Sequence, residues 1–177
     1  FIAMISPILI LTLAVSLKAM INSLGAAAYV QDLMFSASNF LYSLLPAVIF
    51  LVACVLAFAS GTSWGTFGIL IPVVTAVFPT DSPLLIIGIS ACCAGAVCGD
   101  HCSPISDTTI MASAGAQCHP LNHVSPPPPS AVTVASVSLV GFLVAGFVQN
   151  VYVTLAVSTV LMLAVLFCIR SIEAKKA

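Results

Sequence analysis

Residues 1–17, 41–59, 84–98, 131–148 and 151–169 run without a single charged side chain. A helix that crosses a bilayer takes about 20 residues, so stretches of this kind dictate the solvent in which the chain folds. Only 5% of the residues are charged and 61% are hydrophobic, whereas a soluble domain has roughly 25% charged residues to cover its surface. Four Lys/Arg against five Asp/Glu leave a net charge of -1. That balance offers nucleic acid no basic patch. The composition excludes a soluble enzyme, a disulfide scaffold and a disordered tail. It predicts an all-α, polytopic transmembrane bundle whose first partner is the lipid bilayer.

The apolar runs divide the chain into pieces. Residues 1–39 read as a first span plus an interfacial segment, with Lys18, Asn22, Gln31 and Asp32 marking the polar part. Residues 40–79 read as an interrupted hairpin, with Pro46 placed in a first helical turn. Residues 83–117 read as a discontinuous helix, 126–129 as a polyproline linker, and 131–169 as a terminal helix pair turning at Gln149-Asn150. The tail 170–177 is polar, and its Lys/Arg content puts it on the cytoplasmic side. The chain opens Phe1-Ile2-Ala3-Met4, with no basic n-region or cleavage signal. We therefore expect a piece of a longer protein. The seven cysteines lie mostly in apolar runs, where small buried hydrophobes are the default reading.

Two interruptions set this sequence apart from a plain bundle. Ser60-Gly61-Thr62-Ser63-Trp64-Gly65-Thr66 breaks the first hairpin without one charge, and Gly99-Asp100-His101-Cys102-Ser103-Pro104-Ile105-Ser106-Asp107-Thr108-Thr109 breaks the second. Irregular backbone at membrane depth is tolerated only where it is buried in protein or lines a cavity. A pair of interrupted segments points to the midplane site of a secondary transporter. Hydroxyls and freed carbonyls are hard oxygen ligands suited to a small alkali cation. An Asp near the bilayer centre costs at least about 2.5–3.5 kcal/mol, and this break holds two of the chain's five acids.

Plainer roles compete for several of these residues. Asp107 before Thr108-Thr109 suits a helix N-cap, and His101 suits a hydrogen-bond partner as well as a modulator of the carboxylates. Trp64 suits an interfacial anchor or a pocket wall. Ala91, Gly95 and Gly99 recur at four-residue spacing, as do Gly61 and Gly65, which favours close helix packing. Cys98, His101, Cys102, Cys118, His119 and His123 invite a zinc reading, but Cys98 belongs to an apolar run and no closed ligand set is defined. No structural metal or cofactor is expected.

Gly61-Thr62-Ser63-Trp64-Gly65-Thr66-Phe67 followed by Ile71-Pro72 resembles the GTSWGTF…P signature of NhaC-type sodium/proton antiporters. Residues 99–109 resemble that family's GDHCSPISDTT stretch without a substitution, and the segment from His119 to His123 before a helix pair is similar too. The resemblance runs over nearly the whole chain. It implies the C-terminal half of an inverted-repeat transporter, with the N-terminal half of the same carrier as its missing partner and a homodimer as an open assembly. It implies Asp100, Asp107, Ser103, Ser106 and Thr108 as cation- and proton-handling residues, to which His101 is added as a modulator of the carboxylates. Thr62, Ser63, Trp64 and Thr66 would line the cavity from the hairpin tip.

The expected function is Na⁺/H⁺ exchange in a bacterial inner membrane, with transported Na⁺ and H⁺ as cargo and no enzymatic reaction. Relatives in the family exchange Na⁺-coupled organic acids such as malate and lactate, which is the alternative substrate class. A non-transporting membrane fragment is a third reading.

Overall fold

The computed structural model describes residues 39–117 and 129–174, together with Thr12, Ser16, Ala19, Met20, Ser23 and Leu24. Within that range the order is α1 (Asn39–Ser60), α2 (Ser63–Val77), α3 (Pro83–Cys102), α4 (Asp107–Gly115), α5 (Pro129–Val148) and α6 (Val151–Ala174), with no strand among the described residues. Four stretches are long and apolar enough to cross a membrane: Phe40–Ser60, Pro83–Cys102, Ala131–Val148 and Val151–Ser171. At about 1.5 Å per residue each covers most or all of a roughly 30 Å hydrocarbon core. The chain is a polytopic helical bundle. Helix α2, with 15 residues, falls short of that thickness. The first span, Lys18, Asp32, most of the polyproline linker, Cys118, His119 and His123 lie outside the described residues.

The helix ends follow local capping chemistry. Thr62 is extended (φ -147, ψ 123), and its side chain accepts from the Gly65 amide at 3.4 Å. This cap draws Ser63, Trp64, Gly65 and Thr66 into the first turns of α2. The first interruption is therefore only Gly61 and Thr62, narrower than the polar run suggests. Ser82 caps α3 by accepting from the Leu84 amide at 3.2 Å, with Pro83 opening the helix. The second interruption narrows likewise to 103–106, since α3 continues through Asp100 and His101. Pro46 falls inside α1 rather than in its first turn, because the helix starts back at Asn39.

Small residues bring α1 and α3 together. A Cβ on Gly95 would strike the Phe50 carbonyl, and one on Gly99 would strike the Cys54 carbonyl. Ala53, Ala57 and Ala96 fill the seam with no exposed surface. Lipid gives helices no hydrophobic reason to associate, so backbone approach through small side chains supplies the packing. A second cluster, Val74, Phe78, Leu84 and Cys92, seats α2 on α3. There Tyr42 meets the Phe78 ring edge-on at 5.4 Å. Helix α5 joins α1 through the Phe50–Phe142 and Phe40–Phe147 pairs. The apolar span of α6 buries none of its residues within the bundle.

Candidate functional site

The last turn of α3 and the first turn of α4 carry the site between them. Asp100 sits in the last turn of α3 and is 7% exposed. Beyond Cys102 the chain leaves the helix through a tight turn. The Ser103 amide donates to the Asp100 carbonyl at 3.1 Å, and the Ser106 amide donates to the Ser103 carbonyl at 3.4 Å. The turn swings Ser106 back beneath the carboxylate. Its hydroxyl donates to Asp100 Oδ1 at 2.7 Å. Thr108, just inside α4, donates to Oδ2 at 3.4 Å and lies 2.7 Å from the Ser106 hydroxyl. The Ser106 carbonyl accepts from the Ile110 amide at 2.9 Å, which places Ser106 rather than Asp107 at the capping position of α4.

The electrostatics follow from where the carboxylate stands. A helix C-terminus carries partial negative charge and favours a cation near it. Asp100 places a carboxyl group at that end. Among the described residues the only lysine or arginine is Arg170, on the exposed end of α6. The side-chain partners of the Asp100 carboxyl group are the Ser106 and Thr108 hydroxyls. Every buried side-chain oxygen or nitrogen among the described residues has a hydrogen-bond partner.

The two interruptions touch. Ser103, with no exposed surface, donates from its hydroxyl to the Phe58 carbonyl at 2.8 Å. Phe58 belongs to the last turn of α1, where carbonyls lack intrahelical donors. Just beyond, Gly61 adopts φ +66, and a Cβ there would meet the Ile105 carbonyl. The first break is thus moulded against the backbone of the second.

Asp100, Ser106 and Thr108 converge, whereas the Ser103 hydroxyl is taken by the Phe58 carbonyl; Ser103 and Thr109 are buried. Asp107 opens α4, its side chain lying outside what the structure describes. His101 turns away to line a groove of about 790 Å³ with Phe50, Cys93, Val97 and Ala135. At the other break, buried Thr66 donates to the Thr62 carbonyl at 3.0 Å. Ser63 is half-buried, and Trp64 is 75% exposed with its ring edge-on to Phe67. Among the described residues no three His, Cys, Asp or Glu side chains converge to hold a metal. Sequence reasoning misses the Phe58 carbonyl, since a backbone acceptor leaves no trace in residue type. The donor set is one carboxylate and neighbouring hydroxyls, all hard oxygens.

Comparison with known proteins bears on what that set handles. The profile of the Na⁺/H⁺ antiporter family matches residues 1–147. A Haemophilus influenzae relative described as an uncharacterized protein is 37% identical over 169 residues, covering 95% of this chain and 32% of its own. A Bacillus subtilis malate-2H(+)/Na(+)-lactate antiporter is 30% identical over 139 residues, covering 75% of this chain and 30% of its own. The chain spans about a third of the length of these curated relatives. No solved structure matches it.

Proposed function

The chain belongs to the Na⁺/H⁺ antiporter family, and on that premise we propose that it is the C-terminal part of a secondary transporter exchanging Na⁺ for H⁺ at Asp100. The observation that carries this reading is the buried Asp100 carboxylate held by the Ser106 and Thr108 hydroxyls at a helix break. A bare carboxylate at membrane depth costs several kcal/mol. Either a proton on Asp100 or a Na⁺ beside it removes that cost, and the two exclude each other at one carboxylate. Protonated Asp100 releases Na⁺ on one side; Na⁺ arriving on the other displaces the proton. When Na⁺ enters, the Ser106 and Thr108 hydroxyls turn their lone pairs toward it in place of donating to Asp100. The site crosses loaded with one or the other, which is what couples the two flows.

In this reading the protein is a carrier and not an enzyme, needs no resident cofactor, and works in a bacterial inner membrane with the remainder of its chain. The test uses the full-length parent in inside-out vesicles with a pH-gradient dye. A Na⁺ pulse is expected to collapse the gradient in wild type and not in Asp100→Asn. Wild-type rates in Asp100→Asn would overturn the assignment.

The Bacillus relative's name favours a second reading, Na⁺-coupled exchange of an organic acid. That substrate needs a positive group, which the described residues supply only at Arg170. A gradient response that requires malate or lactate would select it.

A further inference from the structure

Three cysteines stand along the seam between α1 and α3, beside the carboxylate but outside its hydrogen bonds. Cys98 and Cys102 lie one turn apart on α3, and Cys54 comes from α1. The Cys98 thiol lies beside those of Cys54 and Cys102. All three line one groove of about 390 Å³, whose walls are otherwise apolar and include Phe58, Val132 and Leu139. Each is partly exposed, whereas Cys92 is buried in the core.

The helices are in backbone contact at this level, with Gly99 seated against the carbonyl of Cys54 itself. A disulfide needs Cα atoms about 4.4–6.8 Å apart, a separation that backbone contact between neighbouring residues favours. Cys98 and Cys102 share a helix, so their Cβ bonds lean the same way, toward its N-terminus. Cys54 reaches Cys98 from the facing helix. Thiol oxidation follows access as well as chemistry, and the groove gives access to both sulfurs.

We propose that Cys54 and Cys98 form an oxidative modification site, closing to a disulfide that staples α1 to α3 when a hydroperoxide enters the groove. The Cys98 sulfur attacks the terminal peroxide oxygen and the O–O bond breaks. The Cys98 proton passes to the departing oxygen, which leaves as water or an alcohol, and Cys98 becomes a sulfenic acid. The Cys54 sulfur then attacks Cys98, forming S–S and releasing the sulfenic oxygen as water with the Cys54 proton. The two thiols lose two electrons in all, and the peroxide gains them. Asp100 stands two residues along α3 from Cys98, so the staple fixes the carboxylate against α1.

The experiment uses the full-length parent in membrane vesicles, treated with hydrogen peroxide or with cumene hydroperoxide. Free thiols are then blocked with N-ethylmaleimide, and an unreduced digest is read by mass spectrometry. A peptide linking 54 to 98 is expected, with loss of the blocking adduct at both positions and its return after dithiothreitol. The link is expected to persist in Cys102→Ser and to vanish in Cys98→Ser. Linking by hydrogen peroxide identifies an aqueous source, and linking by cumene hydroperoxide alone identifies a lipid-phase source; both support the site. Adducts at both Cys54 and Cys98 after each of the two oxidants, or a link from Cys98 to Cys93 or Cys102 instead, would overturn it. The readout is covalent and independent of transport.

Discussion

The Ser103 hydroxyl donates to the Phe58 carbonyl at 2.8 Å, across a sequence separation of 45 residues. This bond joins the turn that carries the carboxylate to the end of the neighbouring helix. It gives Ser103 a structural task that its residue type does not announce.

Ser103→Ala leaves the Phe58 carbonyl without this part-buried donor, a loss worth about 0.5–1.5 kcal/mol. The expected result is a lower midpoint in thermal unfolding of detergent-solubilised full-length protein. An unchanged midpoint would mean that water or another donor replaces the hydroxyl.

Ser106→Ala removes the shorter of the two hydroxyl contacts to Asp100. In the proposed Na⁺-loaded site that hydroxyl faces the cation instead, so losing this ligand should weaken the apparent Na⁺ affinity by about tenfold, roughly 1.4 kcal/mol. Thr108→Ala removes the longer contact and should cost less. Titration of the vesicle response against Na⁺ ranks the two. The opposite order would reassign the principal ligand.

Competition at one carboxylate fixes the sign of the pH dependence. Acidification raises the proton's share of Asp100, so the half-saturating Na⁺ concentration should rise as pH falls. For one proton against one cation, the mass-action limit is about tenfold per pH unit. Na⁺ titrations at a series of pH values check this. A half-saturation independent of pH throughout would separate the proton from the Na⁺ site.

Gly99→Leu drives a side chain into the Cys54 carbonyl and must part α1 from α3. Gly61→Val combines that kind of collision, here with the Ile105 carbonyl, with a left-handed backbone, a conformation that costs an L-residue about 1–2 kcal/mol. Both variants should lose folded protein on size-exclusion chromatography. Gly115→Ala, with nothing near its Cβ, should elute as wild type.

The bundle is legible from sequence because hydropathy measures length, and length decides what spans a bilayer. The ends of the interruptions are harder to read. Ser63-Trp64-Gly65-Thr66 looks like broken backbone by polarity, yet the Thr62 cap makes it helix. Asp100 and His101 look like turn residues, yet α3 continues through both. Asp100, Ser106 and Thr108 lie close enough in sequence for one short turn to unite them. The contacts from Ser103 to Phe58 and from Ile105 to Gly61 are invisible from residue type, since each has a main-chain carbonyl on one side. His101 adjoins Asp100 in sequence, but successive residues on a helix point about 100° apart, so it lines a different cavity.

The carboxylate at the end of α3 has hydroxyls for neighbours, and the described residues place no lysine or arginine beside it. A basic partner would have set its charge balance permanently, whatever surrounded the membrane. Hydroxyls leave that balance to whatever arrives from the aqueous phases. In the proposed exchange, Asp100 is the point at which the salt and acid on either side of the membrane meet the protein.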